Sequence, residues 1–344
     1  MAPPDAPLRW RLADDDGGQP DLLGDLIERV PGRGELAGLE FLHVRSRRIL
    51  NRVPAASRMP FRWTINVYRG CSHACVYCFA RPTHEYLGLD AGRDFERRIV
   101  VKVDAVARLR AELASPRWRG EHVAMGTNTD PYQTCEGRYR LTRGVLEALV
   151  EAGNPFSVLT KSTLVLRDLD VLAEAARRGL VRVDLSIGTL DRGVWRATEP
   201  GTPNPLRRID AVARLNDAGV PCGVLVAPVL PGISDDPALL DDVVRAAVGA
   251  GAVSVSSILL HLRPGVREHY LGWLGGVDER LRRRTAARFA GSYLPSRERG
   301  AHEALVRRLV KRAGGRPAAA GRPGIAPPPP AGPGREHDQL RLGI

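Results

Sequence analysis

Six short runs of apolar, largely β-branched residues alternate along the chain with stretches of helical spacing. The runs are 63–68 (WTINVY), 121–126 (EHVAMG), 155–160 (PFSVLT), 181–187 (VRVDLSI), 220–227 (VPCGVLVA) and 252–259 (AVSVSSIL). Between them, 104–114, 142–152, 168–178, 206–218 and 237–249 repeat apolar residues every three or four positions, as one face of a helix does. Gly153, Gly179 and Gly219 follow three of these stretches, where a helix C-terminus favours glycine. Strand and helix in alternation predict parallel strands joined by right-handed crossovers. Six such units predict an α/β fold built on a partial or complete (β/α)6 barrel of TIM type. An open doubly wound sheet carries the same alternation, and the pattern separates the two poorly.

The flanks read differently. Residues 1–58 form an N-terminal extension, polar and Pro-rich to about residue 30 and expected to be loosely ordered there. Residues 36–55 mix apolar runs with arginines and are expected to pack on the core as a lead-in. Residues 59–261 hold the barrel, and 262–312 a basic helical segment whose clearest helix is DERLRRRTAARFAGSYL. Residues 313–344, rich in Pro, Gly and Arg, lack the apolar content for a core and are expected to be disordered.

Composition narrows the setting. Of 344 residues, 43% are apolar and 26% charged, the balance of a soluble globular protein. The first residues show no secretory signal, and no apolar run approaches the ~20 residues of a membrane span. The expected compartment is the cytosol, where thiols stay reduced. The net charge is +12, and residues 261–344 carry 17 Arg/Lys against 7 Asp/Glu, leaving only +2 to the first 260. A basic C-terminal quarter is the footprint of a nucleic-acid partner. It is weighed against a bias in which 48 Arg stand beside three Lys, at 102, 161 and 311.

Cys71, Cys75 and Cys78 stand at spacing C-x3-C-x2-C in YRGCSHACVYCFARPTHEY, directly after the first predicted strand. Five cysteines, three of them clustered, point to a metal site rather than a disulfide framework. Structural zinc closes its shell with four ligands, usually from two paired knuckles, and this chain has one trio. His73 would complete a fourth position only from within the same short loop, under strain. Thiolates also hold iron–sulfur clusters, and a four-iron (4Fe-4S) cluster on three cysteines leaves one iron open to another ligand.

The trio, with aromatic Tyr77 just before its last cysteine, resembles the signature of the radical S-adenosylmethionine (SAM) superfamily. NVYRGCSHACVYCFARPTHEYLG and GTNTDPYQTCE resemble its spore-photoproduct-lyase-like subgroup, and the likeness covers about residues 45 to 262. The resemblance implies that Cys71, Cys75 and Cys78 hold a 4Fe-4S cluster and that S-adenosylmethionine chelates the fourth iron. It also implies an electron donor such as flavodoxin or ferredoxin. One electron then cleaves the cofactor to a 5′-deoxyadenosyl radical that takes a hydrogen atom from substrate.

The barrel geometry directs attention to the strand ends. Tyr77, Thr127, Asn128, Thr129 and Asp130 are candidate cofactor contacts, the last four also fitting an Asx-type turn before Pro131. Lys161, with Ser162 beside it, is placed to bond the cofactor carboxylate, and Ser186 its ribose or amino-acid end. APVLPG after the fifth strand suits adenine, and His261 and Arg263 are candidates to face substrate. Cys135, with Tyr132 as relay, is a candidate hydrogen-atom donor, or else a small buried hydrophobe. Arg81, His84 and Glu85 are expected to pin the cysteine loop, and Cys222 has no assigned role.

The terminal QLRLGI resembles peptides that dock on bacterial sliding clamps, with Gln339, Leu340, Leu342 and Ile344 as anchors. Three functions compete. The first is a radical SAM enzyme acting on a bulky, nucleic-acid-like substrate, and the second is radical modification of a peptide or small metabolite. The third is a non-catalytic nucleic-acid-binding protein with a structural metal.

Overall fold

A computed structural model describes residues 26–54 and 59–317. The chain begins with β1 (Leu26–Pro31), β2 (Glu40–Val44), β3 (Leu50–Arg52), β4 (Trp63–Ile65) and β5 (Tyr68–Arg69). After the cysteine loop come α1 (Arg93–Arg97), β6 (Arg98–Lys102), α2 (Ala105–Leu113), β7 (Val123–Met125), α3 (Glu136–Tyr139) and α4 (Leu141–Glu151). The alternation continues through β8 (Phe156–Thr160), α5 (Leu169–Arg177), β9 (Val181–Ser186), α6 (Arg192–Thr198) and α7 (Pro205–Asp217). It ends with β10 (Cys222–Val229), α8 (Pro237–Gly249), β11 (Val255–Leu259), α9 (Val266–Val277), α10 (Glu279–Arg288) and α11 (Ser296–Arg312).

The main sheet has seven strands in the order β11-β10-β9-β8-β7-β4-β3. All pairs are parallel except β3 with β4. The six parallel strands follow sequence order without reversal. A doubly wound sheet would reverse at a switch point; monotonic order puts every crossover helix on one face and curls the sheet toward a barrel. Strands β11 and β3 lie at opposite ends of the order, so the barrel is partial.

Local chemistry sets the helix boundaries. Asn204 caps α7 by accepting from Leu206 N, with Pro205 at the first helical position, and Asp236 and Pro237 repeat the arrangement at α8. Valine and leucine from β7 to β10 (Val123, Val158, Val183, Leu185, Val224, Val226) are buried in one core with Leu149, Leu172, Leu215 and Val243 of the helices. Each such side chain contributes roughly 1.5–3 kcal/mol on burial.

Four expectations change. The run 63–68 is two strands, because Asn66 breaks it: β4 pairs with β7, whereas β5 pairs with β6 in a second sheet of order β1-β2-β6-β5. That sheet includes Leu26–Pro31, within the region expected to be loosely ordered, since β1 pairs with β2. The boundary at 262 cuts a shared core. Leu262, Val266, Tyr270, Leu274 and Phe289 pack with Cys75, Val76 and Tyr77, so the basic helices roof the cysteine loop. Ordered structure also runs past 313, where Val255 bridges Pro317. The clamp-like anchors Gln339, Leu340, Leu342 and Ile344 lie outside the described residues. Among those described, no helix is long and apolar enough to cross a membrane.

Candidate functional site

The cysteine loop leaves β5 at Gly70, whose φ of +81° and close approach to His84 and the Phe95 carbonyl leave no space for a Cβ. Cys71 N–H donates to the Phe95 carbonyl at 2.9 Å. Arg81, fully buried, donates from Nε and Nη2 to the Cys75 carbonyl (3.2 and 2.9 Å) and from Nη1 to the carbonyls of Ala91 and Gly92 (3.1 Å each). His84 Nε2 meets the Arg98 carbonyl at 2.9 Å. These two side chains pin the loop as expected; no hydrogen bond of Glu85 shares that work.

All three thiols are free and buried or half-buried. Burial raises each of their pKa values, and Cys71 is raised further by Asp130, Cys75 and Cys78; tight turns, Ala74 N–H to the Cys71 carbonyl and Cys78 N–H to the Cys75 carbonyl, keep the trio in one compact loop. Cations oppose this: Lys161 and Arg208 at Cys75, and Arg81, Lys161 and Arg263 at Cys78. A thiolate-binding metal group that displaces the protons would find that positive field waiting. Among the described residues, no three His, Cys, Asp or Glu side chains converge on a point as a single ion requires. Three free thiols on one loop are a donor set that fits a cluster taking one thiolate per iron. His73 is turned away from such a role, its Nδ1 lying 3.4 Å from Asp130 Oδ2.

Tyr77, Lys161 and Ser186, far apart in sequence, come together beside the loop. Lys161 Nζ lies 5.6 Å from the Tyr77 ring centroid and donates to Ser186 Oγ (2.8 Å), Glu199 Oε1 (3.0 Å) and the Ala227 carbonyl (3.0 Å). Glu199 is the unforeseen centre. It also accepts from Arg208 Nη2 at 2.6 Å and from the Tyr77 hydroxyl. Burial alone would raise its carboxyl pKa, but Lys161 and Arg208 hold it well below the usual range. A buried ammonium needs a counter-charge, so Lys161, expected to face a cofactor carboxylate, pairs with an internal one.

The segment 198–202 straps this network to the loop. Val76 N–H donates to the Thr198 carbonyl (3.1 Å) and Gly201 N–H to the His73 carbonyl (3.0 Å). A Cβ on Gly201 would lie 2.2 Å from the Ser72 carbonyl oxygen.

The turn after β7 braces the loop from the other side. Thr129 Oγ1 donates to the Gly70 carbonyl at 2.6 Å, and Gln133 joins that carbonyl, Thr129 and Ser72 N–H. Asp130 accepts from Tyr132 N, Thr160 Oγ1 and Lys161 N at 2.6–2.9 Å, an Asx turn whose carboxylate is largely committed within the fold. Burial opposes its charge, and His73 with these donors outweighs burial. Thr127 Oγ1 and Asn128 N–H meet the Asn66 side chain (3.3 and 3.1 Å). Ser162 is a cap, its Oγ accepting from Leu164 N.

Tyr132 and Cys135 stand elsewhere. Both are fully buried in the main core, and the Tyr132 hydroxyl donates to Asp168 at 3.1 Å. Burial raises the Cys135 thiol well above its ordinary range. Their hydroxyl and thiol face core partners instead of the cysteine loop, because the turn at Asp130 and the short helix α3 fold them inward. This placement agrees with the alternative reading of Cys135 as a small buried hydrophobe. Cys222 is likewise buried in the main core.

A family profile described as the radical SAM superfamily matches residues 65–243. The chain is 45% identical over 282 residues to uncharacterized proteins of Mycobacterium bovis and Mycobacterium tuberculosis, covering 82% of this chain and 83% of each relative. It is 30% identical over 215 residues to a protein of Pseudomonas phage M6 named radical SAM Nalpha-GlyT isomerase, covering 62% of this chain and 41% of that one. In fold it is similar to spore photoproduct lyase complexed with dinucleoside spore photoproduct, at a TM-score of 0.58 and 19% identity, covering 85% of this chain and 86% of that one.

Proposed function

The chain belongs to the radical SAM superfamily, an enzyme family whose cofactors are a 4Fe-4S cluster and S-adenosylmethionine, and on that footing we propose that it performs hydrogen-atom abstraction on a nucleic-acid substrate. When bound, the cluster and S-adenosylmethionine supply, on one-electron reduction, a 5′-deoxyadenosyl radical that takes a hydrogen atom from substrate. The observation that carries the reading is the interacting trio Cys71, Cys75 and Cys78, strapped against Lys161, Ser186 and Tyr77 at the C-terminal edge of the parallel strands. Active sites of α/β barrels stand at that edge.

Cys71, Cys75 and Cys78 would hold three irons. Lys161 and Ser186 would take the cofactor carboxylate: Glu199 keeps Arg208, Tyr77 and Thr202 when Lys161 turns to a second carboxylate. Thr127 and Asn128, half-buried on the turn that Asn66 orients, are placed for the amino group. The hydrophobic roof of α9 and α10 excludes water from the loop. Arginines of the C-terminal quarter supply the field that draws a polyanion. The dinucleoside bound by spore photoproduct lyase agrees with a nucleic-acid substrate.

The test is anaerobic iron–sulfur reconstitution, then reduction in the presence of S-adenosylmethionine. Release of 5′-deoxyadenosine is expected, and deuterium should pass into it from labelled oligonucleotides. A reconstituted, reducible cluster that releases none refutes the radical reading. Release without transfer from any nucleic acid refutes the substrate.

A further inference from the structure

Three arginines lie in the interior around the cysteine loop, and they differ in one respect. Arg81 and Arg208, both fully buried, are saturated with hydrogen bonds to carbonyls and carboxylates. Arg263 is 8% exposed, its Nε is buried with no hydrogen-bond partner, and no ion pair holds its guanidinium among the described residues. A buried N–H left without an acceptor is costly, so this guanidinium, with its Nε unmet, is suited to an anionic partner that arrives.

Arg263 sits between β11 and α9, at the same sheet edge as the cysteine loop. Its segment lies against the residues that follow the trio: a Cβ on Gly265 would meet Pro82 at 2.8 Å and Glu85 at 3.6 Å. Cys78, Glu85 and Tyr86 are the titratable groups that act on the guanidinium, and burial outweighs them. Neither Glu85 nor Tyr86 reaches it.

The surroundings specify the partner. Phe79, next to Cys78, is 46% exposed, Tyr86 is 38% exposed and Tyr293 is 43% exposed. Tyr293 is held by His261, stacked at 4.3 Å, and by Arg299, 5.6 Å from its ring, while Leu262 N–H donates to the Ser292 carbonyl. Exposed rings beside arginine are the stacking platform of single-stranded nucleic-acid binders. A guanidinium fork matches a phosphate.

We propose that Arg263 holds a phosphate of a single-stranded nucleic-acid substrate at the rim of the cysteine loop, with Phe79, Tyr86 and Tyr293 offering faces to its bases. This rests on the nucleic-acid reading above and adds the residue that positions the strand. Arg263 is a substrate-binding residue, separate from the contacts of S-adenosylmethionine.

The test uses the full reconstituted chain and a fluorescein-labelled oligothymidylate, with anisotropy followed across a salt series. Arg263→Gln should weaken binding about tenfold, the scale of one charge-assisted hydrogen bond. The slope of log affinity against log salt should shrink by about 0.7, one phosphate's worth for a single strand. Arg263→Lys should retain most of the binding. Affinity for S-adenosylmethionine, by calorimetry on the same samples, should change far less than affinity for the oligothymidylate. The melting temperature of Arg263→Gln should hold or rise, because an unpaired interior charge has gone.

Unchanged oligothymidylate binding in Arg263→Gln overturns the proposal, as does a wild-type chain that does not bind the probe. A loss confined to S-adenosylmethionine overturns it too, assigning the guanidinium to the cofactor. A marked fall in melting temperature identifies a structural arginine and is equally fatal. Failure of the radical chemistry shows separately, as absent 5′-deoxyadenosine from the wild type.

Discussion

Replacing Glu199 by Gln removes one charge and almost no volume from the junction between the cysteine loop and the strand ends. Glu199 is 4% exposed and Arg208 fully buried, while the Lys161 side chain is 13% exposed. Without the carboxylate, two interior cations lose their shared counter-charge. Breaking a buried pair this way costs about 3–5 kcal/mol. The Gln amide oxygen still accepts one hydrogen bond, worth about 1 kcal/mol, which leaves a net loss of about 2–4 kcal/mol. Urea denaturation of the wild type and variant at pH 7 measures it. The pH dependence gives an independent check. Burial raises the Glu199 carboxyl, and Lys161 and Arg208 more than reverse this, so its folded value lies below the unfolded value of about 4.3. Its stabilisation is complete above pH ~4.3 and is lost as pH falls toward the depressed folded value. The gap between wild type and variant should therefore be widest at neutral pH and narrow below about pH 4. Combining Glu199→Gln with Lys161→Met should cost less than the sum of the two, since both act on one ion pair. A gap under about 1 kcal/mol at pH 7, or one that stays constant to pH 3, would refute the argument.

Alanine at Cys71, Cys75 or Cys78 should each abolish the visible absorption of the reconstituted protein. Cys135→Ala and Cys222→Ala should keep it while losing about 1–2 kcal/mol to a small cavity, by the same spectra and urea melts. Gly201→Ala places a Cβ 2.2 Å from the Ser72 carbonyl oxygen, so it should cost about 1–3 kcal/mol and lower the iron bound per chain after reconstitution. His122 has both ring nitrogens buried without partners, and burial lowers its pKa to about 4. Folding stability should then fall by up to about 3 kcal/mol as pH drops from ~6.5 toward 4, because the unfolded ring takes up a proton first. His122→Gln should flatten the urea midpoint over that window.

Much of the scaffold was readable from periodicity, because the crossover helices bury one face each and the strands between them are nearly all apolar. Helices expected at 206–218 and 237–249 appear as Pro205–Asp217 and Pro237–Gly249, where Asn or Asp followed by Pro marks the start. Strands β1, β2, β3 and β6 were missed for a common reason: charged residues interrupt or bound runs too short to show a period, and pairing to other segments makes them strands. At the site, local spacing revealed the thiols, and the scarcity of lysine drew attention to Lys161. Glu199, Arg208, Asn66 and Gln133 were not found, since nothing in TEPGTPNPLRR marks a carboxylate that the fold encloses between two cations. The core position of Tyr132 and Cys135 was not legible, because proximity in sequence to a strand end does not say which way a turn folds its side chains.

The bridge from Val255 to Pro317, with Val255 N–H donating to the Arg316 carbonyl at 3.3 Å, covers the outermost parallel strand near its start. Bare peptide groups along a sheet margin are a template for another chain. Shortening the protein ahead of Arg316 would strip that cover and let one copy's sheet continue into its neighbour's. Any trimmed version made to improve handling should keep Pro317, or it will open that edge to edge-to-edge association.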